Sequence, residues 1–297
     1  MGRAEVLSKL PVAPSDFVVE IGAGPVPFPR TRLIVDKYPF DNLERHGDIV
    51  NVAPVIQADA TKLPLADHGC DVLFVSHVIE HMPRPDLFLE EAKRCARHVY
   101  LEFPSLRREL MYSWSFHRWL VTLEGRRLVF YRHDIPQVFG DFFHANYDFP
   151  LDLWSEHRFE ELNTHLYCPS DELEYEISPK GALEYVLERS ASGEARVNFA
   201  SRYGERGTGN VAYPLAARLK TAAWSLLPGS VLEARNRRRQ RSNRRSQQPL
   251  SDEIVERLRC QSCRNDRGRL QRNAEVLACV ACDARYLARE GVFDFDV

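Results

Sequence analysis

No apolar run in this chain approaches the roughly 18 residues needed to span a bilayer as a helix. Neither sign of charge dominates: 40 Lys and Arg stand against 42 Asp and Glu, a formal net charge of −2. That balance removes the global positive field that would draw a nucleic acid to the surface. The N-terminus has no basic-then-apolar leader pattern, so the expectation is a cytoplasmic chain. Another absence lies inside the sequence. The glycine turn Gly22-Ala23-Gly24 has no third glycine, and Pro25, Pro27 and Pro29 follow at alternate positions, which excludes a regular helix start. A dinucleotide would lose there the helix N-terminus that usually meets its pyrophosphate.

What is present is a strand, a tight turn and a second strand. Phe17–Ile21 is apolar apart from Glu20, as in a strand covered on both faces. Gly22 and Gly24 allow a tight turn and close approach of a ligand. Leu33–Val35 then leads into Asp36, a carboxylate at the ligand-binding edge of an open α/β sheet, placed to accept both hydroxyls of a ribose. Val55-Ile-Gln-Ala-Asp59 reads as a short strand ending in Asp59, placed to accept from an adenine amino group. A nucleoside without phosphates suits this turn, and S-adenosylmethionine, with its sulfonium, suits it better than NAD. Glu20 belongs either to that cofactor set or to the core, as a buried carboxylate satisfied by backbone donors.

Three further segments continue the pattern. Cys70–Val75 reads as a strand, Asp86–Arg97 as an amphipathic helix with Phe88, Ala92 and Cys95 on one face, and Val99–Phe103 as a fifth strand. The spacing predicts an α/β fold with a doubly wound, mostly parallel, Rossmann-like sheet of seven strands. Between the fourth strand and the helix stands Ser76-His77-Val78-Ile79-Glu80-His81. Read as a helix start, it puts His77 and His81 on one face, which suits a metal pair, two structural donors, or a role at the cofactor and in removing the acceptor's proton.

Glu20-Ile-Gly-Ala-Gly24, Val35-Asp36, Ala58-Asp59-Ala60, Leu63-Pro-Leu65 and His77-Val-Ile-Glu-His81 together resemble the class I S-adenosylmethionine-dependent methyltransferases, in the branch that methylates small molecules, lipids and glycans. The resemblance spans about residues 10–104. It implies that Gly22 and Gly24 face the methionine part, Asp36 the ribose and Asp59 the adenine, with Ala23, Lys37, Ala60, Ser76 and His77 completing the cofactor set. The proline loop departs from that family, whose first helix it replaces. Loops of this kind resemble a subset that occurs with cell-surface polysaccharide genes.

Near the other end, Cys260, Cys263, Cys279 and Cys282 give C-x2-C-x15-C-x2-C. Two knuckles at this spacing present four thiolates as a closed tetrahedral Zn2+ site, with a disulfide pair or a redox CxxC as the alternatives, and so small a segment needs the metal in place of a core. Residues 255–297 resemble the zinc-ribbon subunit that activates tRNA, rRNA and protein methyltransferases, which implies a docking and stabilising part.

The expected organisation is a methyltransferase domain over 1–210, with 105–210 as a substrate or lid region, a linker over 211–250, and the ribbon over 251–297. Residues 105–170 are rich in aromatics and histidine, and His117-Arg118-Trp119 is their leading cluster, with His117 a candidate proton acceptor beside His77 and His81. Pro214–Leu226 has helical apolar spacing, and Arg235–Arg245 carries seven arginines in eleven residues. Read together, 214–245 is a solvated linker, a peripheral contact with the inner face of a membrane, or an RNA-phosphate contact.

The function expected is direct in-line methyl transfer from S-adenosylmethionine to a small molecule, saccharide or lipid-linked glycan. The alternatives are a tRNA or rRNA methyltransferase and a non-catalytic cofactor-binding scaffold. The sequence leaves the oligomeric state open.

Overall fold

The structure is a computed structural model that describes residues 2–41, 47–136, 158–191, 247–263 and 268–296. The helix and arginine run expected within 214–245 lie outside these residues, as do the aromatics from Phe139 to His157.

Five strands form the parallel part of the main sheet: β1 (Val18–Ile21), β2 (Thr31–Asp36), β3 (Val55–Gln57), β4 (Cys70–Ser76) and β5 (Ala96–Pro104). Their order is β3-β2-β1-β4-β5, and β8 (Asn163–Pro169) closes the far side antiparallel to β5. The reversal of direction after β1 places the carboxyl ends of β1 and β4 side by side, the position where open α/β sheets bind ligands. The fold is Rossmann-like α/β, as the strand spacing predicts.

Alternation along the strands sorts side chains onto two faces. Val19, Ile21, Leu73 and Val75 enter one core, which α2 (Pro85–Cys95) covers with Phe88, Leu89, Ala92 and Cys95. Pro85 occupies the first turn of α2, where a missing N–H costs nothing. Val18, Val72, Phe74 and Tyr100 face the other way. No described helix follows β1 to cover them. The proline loop does so instead: Phe28 stacks on Phe74 at 4.7 Å, and Phe74 on Tyr100 at 4.6 Å. Val12 and Leu7 of the N-terminal segment, which includes α1 (Arg3–Ser8), complete this layer.

The region after β5 divides in two. β8 returns to the main sheet, whereas β6 (Trp119–Glu124), β7 (Arg127–Arg132) and β9 (Glu174–Gly181) make a separate three-stranded sheet. One face of that sheet, with Val121, Leu128 and Phe130, joins the main core, and the other packs Leu120, Val129 and Tyr131 against Ala182 of α5 (Ala182–Ala191). Two short helices, α3 (Leu106–Tyr112) and α4 (Phe159–Leu162), flank the turn from β5.

The cysteine-bearing segment is joined to this body by backbone pairing. Strands β10 (Leu270–Asn273), β11 (Val276–Cys279), β12 (Arg285–Arg289) and β13 (Val292–Asp294) form an antiparallel ribbon. β13 then lies parallel to β3, with Phe293 opposite Ile56, so the main sheet runs on into the ribbon as ten strands. α6 (Asp252–Arg257), capped by Ser251, contributes Ile254 and Val255 to the same core as Leu73 and Phe88. No described helix is long and apolar enough to cross a membrane.

Candidate functional site

Gly22 ends β1 at φ +65°, the left-handed region that glycine enters without strain. A Cβ there would meet the Val78 side chain at 2.5 Å, so the turn admits glycine alone. Ala23 is buried against Ile34 and Val55. The Gly24 carbonyl accepts from the Val50 amide at 3.3 Å.

Glu20 turns away from that surface. Its Oε2 accepts the Phe28 amide at 3.0 Å and the Thr31 hydroxyl at 2.5 Å, which fastens the proline loop to β1. Burial pushes its carboxyl up to about 7, against the pull of those two donors. Of the two sequence readings, the geometry matches the satisfied buried carboxylate.

Asp36 and Asp59 stand at the ends of β2 and β3. Asp36 is buried, and its Oδ1 accepts the Tyr38 amide at 2.8 Å. Asp59 caps the short 3-10 turn Ala60–Lys62, with Oδ1 accepting from the Thr61 amide and hydroxyl, while Oδ2 takes the Lys37 ammonium at 2.6 Å. Burial opposes ionisation of Asp59, but Lys37 and Thr61 outweigh it and hold its pKa down. Lys37, Asp59 and Ala60 thus form one unit at the edge where β13 is added.

β4 ends in Ser76, and His77 follows it directly. The Ser76 hydroxyl donates to Glu102 Oε1 at 2.9 Å, and Arg3 reaches across from α1 to Glu102 at 3.1 Å and to Ser76 at 3.2 Å. Tyr100 donates to the other Glu102 oxygen at 2.9 Å. His77 has φ +53°, a costly conformation for a residue with a Cβ. Its amide donates to the Glu102 carbonyl at 2.8 Å, and its ring lies between Glu80, 3.3 Å away, and Glu102, 3.4 Å away. Burial alone would lower the imidazole pKa; hydrogen bonds to Glu102 and Glu80 reverse that and raise it. Burial likewise disfavours charge on Glu102, yet His77, Arg3 and Ser76 bring its carboxyl down to about 2.

His77 and His81 do not pair on a common helix face. The residues between them form a 3-10 turn, Ile79–His81, which aims His81 elsewhere. His81 stacks on Phe116 and meets His117 edge-on with ring centroids 4.7 Å apart. His117 is buried, with Nδ1 2.6 Å from Glu109 Oε1. The hairpin of β6 and β7 is docked on this turn, through the Arg118 amide to the Glu80 carbonyl at 2.8 Å and the Trp119 indole to the Met82 carbonyl at 2.8 Å.

Sequence reasoning missed Arg3, Glu102, Glu109 and Arg108, whose Nη1 lies 3.3 Å from His77 Nε2. Glu102 had a signal, since a lone carboxylate in the apolar run Val99–Phe103 mirrors Glu20 in β1. Arg3 had none, because its partner lies 99 residues away.

In the ribbon, Cys260 and Cys282 place their sulfurs 3.7 Å apart, as do Cys263 and Cys279. All four lie within 4.8 Å of one another. Four sulfurs bound at about 2.3 Å to one tetrahedral ion stand about 3.8 Å apart, whereas a disulfide needs about 2.05 Å. The set therefore fits a single metal ion. Tyr286 stiffens the first knuckle: its hydroxyl lies 3.1 Å from Cys260 Sγ and accepts the Gln261 amide at 2.7 Å. A separate cleft of about 480 Å³ runs along the seam between ribbon and sheet, lined by Leu63, Glu91, Arg94, Arg259 and Gln261 among others.

Residues 36–98 match a family model described as a methyltransferase domain. No curated protein matches the chain. Among solved structures, a candidate methyltransferase from Bacillus halodurans is 18% identical, with 34% of this chain and 50% of that chain covered at a TM-score of 0.26. The complex of the Haloferax volcanii Trm112 methyltransferase activator with its candidate methyltransferase is 17% identical, with 55% and 86% covered at 0.35. Haemonchus contortus phosphoethanolamine N-methyltransferase 1 is 24% identical, with 35% and 25% covered at 0.26. The chain thus spans half the length of the Bacillus halodurans protein.

Proposed function

We propose that this chain is an S-adenosylmethionine-dependent methyltransferase whose acceptor is a small molecule, a saccharide or a lipid-linked glycan. The observation that carries the reading is the strand-end constellation of Gly22, Asp36 and Asp59, within a sheet whose residues 36–98 match the methyltransferase domain model. Asp36 would hold the ribose and Asp59 the adenine amino group, with Lys37 and Ala60 beside it. Ala23 and Gly24 would face the methionine part, and Ser76 and His77 would flank the sulfonium. A phosphate-free ligand also suits a turn followed by Pro25, Pro27 and Pro29 in place of a helix N-terminus.

The acceptor atom would attack the methyl carbon in line as the carbon–sulfur bond breaks, leaving S-adenosylhomocysteine as the neutral thioether. Most of the rate would come from holding the two reactants in near-attack geometry. His77, clamped between Glu80 and Glu102, is the proposed recipient of the acceptor's proton, a contribution of about 10²–10⁴-fold. Zn2+ is the proposed ion of Cys260, Cys263, Cys279 and Cys282, in a purely structural role that leaves no open coordination position.

Calorimetric titration with S-adenosylmethionine tests the reading. The wild-type protein should bind, and Asp36→Ala should bind at least about tenfold more weakly while melting as a folded protein. Equal affinity in the two would remove the ribose assignment, and absence of binding by the wild type would remove the function.

A further inference from the structure

We propose that Glu80, His81 and His117 form a second metal site, for a single divalent transition-metal ion, under the β6–β7 hairpin and next to His77. One donor atom from each of the three lies within 4.8 Å of the other two. These donors come from two separate segments, the turn after β4 and the chain before β6, and the hairpin's docking on that turn brings them together.

A second observation concerns Glu80 itself. Its side chain is 1% exposed, and Oε1 meets His77 at 3.3 Å. The other oxygen, Oε2, is buried without a hydrogen-bond partner. Leaving a carboxylate oxygen buried and unmatched costs more than a typical hydrogen bond returns. An ion among the three donors would satisfy it.

The third observation is the arrangement behind His117. Metal-binding histidines commonly give their other ring nitrogen to a carboxylate, which fixes the tautomer and orients the ring. His117 Nδ1 does this with Glu109 Oε1 at 2.6 Å, which leaves Nε2 for the ion. His133 Nε2 lies 3.3 Å from the other Glu109 oxygen.

Two imidazoles and one carboxylate suit Mn2+, Fe2+, Co2+ or Zn2+ rather than Mg2+ or Ca2+. Bonds of about 2.1 Å put opposed donors about 4.2 Å apart, so a small rotation of His81, the most exposed of the three, closes the set. Three protein donors leave coordination positions open, the pattern of a site that takes a ligand rather than one that only braces a fold. The ligand class is an oxygen donor such as a hydroxyl or vicinal diol of the acceptor. That assignment rests on the methyltransferase reading, whereas occupancy by metal does not.

The test is therefore run without cofactor or acceptor. The full-length protein, its four-cysteine site first filled with Zn2+, is titrated with Mn2+ and read by electron paramagnetic resonance. Mn2+ stands lowest in affinity among these ions and leaves thiolate-bound zinc in place. One Mn2+ should bind per chain. His81→Ala, His117→Ala and the isosteric Glu80→Gln should each weaken binding at least about tenfold, and Glu109→Gln about 10–100-fold, with thermal melts confirming that each variant is folded. A parallel sample saturated with Zn2+ in place of Mn2+ should hold two zinc ions per chain in the wild type and one in His81→Ala. The proposal is overturned if neither Mn2+ nor Zn2+ adds an ion beyond the cysteine site at millimolar concentration. It is equally overturned if the added ion persists with unchanged affinity in Glu80→Gln and His81→Ala.

Discussion

The four cysteines and the Glu80–His77–Glu102 network both gather charge-bearing side chains, one in the ribbon beyond β3 and the other at the carboxyl ends of β4 and β5. In the ribbon every donor comes in a pair with two residues between, and a single knuckle sets each pair. In the network the partners are contributed by positions 3, 77, 80, 100, 102 and 108, and only the finished fold assembles them. The ribbon is thus written locally and the network globally. Loss of one ribbon ligand should undo its structure, whereas changing one network carboxylate should alter how stability follows pH.

The largest effect is expected at the ribbon. Cys279→Ser should abolish the four-thiolate site and cost more than about 4 kcal/mol, the range in which lost structural metals fall. Because β13 extends the sheet at β3, and Leu258, Tyr286 and Phe293 share the main core, the damage should not stay local. Thermal denaturation of the variant should show a lowered transition for the whole chain, together with loss of zinc. An unchanged melting temperature would mean that the seam, not the metal, holds the ribbon.

Glu20 sharpens the comparison from the other side. Its folded pKa lies near 7, above its ordinary value of 4.5. Between those values the folded protein retains a proton that the unfolded chain has released. Stability therefore falls as pH rises through that window, by about 1.4 kcal/mol per pH unit, or up to roughly 3 kcal/mol in all. Glu80 and Glu102, both brought down to about 2, act oppositely: their contribution is present above the ordinary carboxylate value and is lost as pH falls toward 2. Glu20→Gln should flatten the decline between pH 5 and pH 8 in urea denaturation, while the acid-side loss remains. A decline identical to wild type would show that Glu20 is ionised at no cost.

This contrast also explains how much the sequence disclosed. β1 to β5 were legible because buried strands announce themselves by unbroken apolar runs, and Gly22 because a glycine between two such runs implies a turn. The Asp86–Arg97 helix was legible from the spacing of Phe88, Ala92 and Cys95, all of which are buried. Phe28 was not, since nothing local says that a proline loop will lay a ring over Phe74 in place of a helix. His81 and His117 were each singled out, but 36 positions of chain separate them and periodicity carries no information over that distance. The reading of His77 and His81 as one face assumed an α-helical period, and the 3-10 turn rotated the pair apart. Addition of β13 to β3 was hidden for a similar reason, because Val292–Asp294 is too short to show a pattern.

The smallest effect should come where charge crosses the seam at the surface. Arg32 of β2 and Glu253 of α6 are 3.1 Å apart, and both side chains are nearly half exposed. Glu253 also lies 3.5 Å from Arg257 within its own helix. Water and salt screen such pairs, and ordering two long side chains offsets much of the attraction, so Glu253→Ala should cost less than about 1 kcal/mol. Arg257 differs because its guanidinium lies over the Phe17 ring at 4.2 Å and donates to the Gly69 carbonyl at 3.0 Å, joining α6 to the start of β1. Denaturant titrations of Glu253→Ala at low and high salt should nearly coincide with wild type. A loss of several kcal/mol that vanishes in salt would mean that surface charge, rather than strand pairing and the shared apolar core, fastens the ribbon to the sheet.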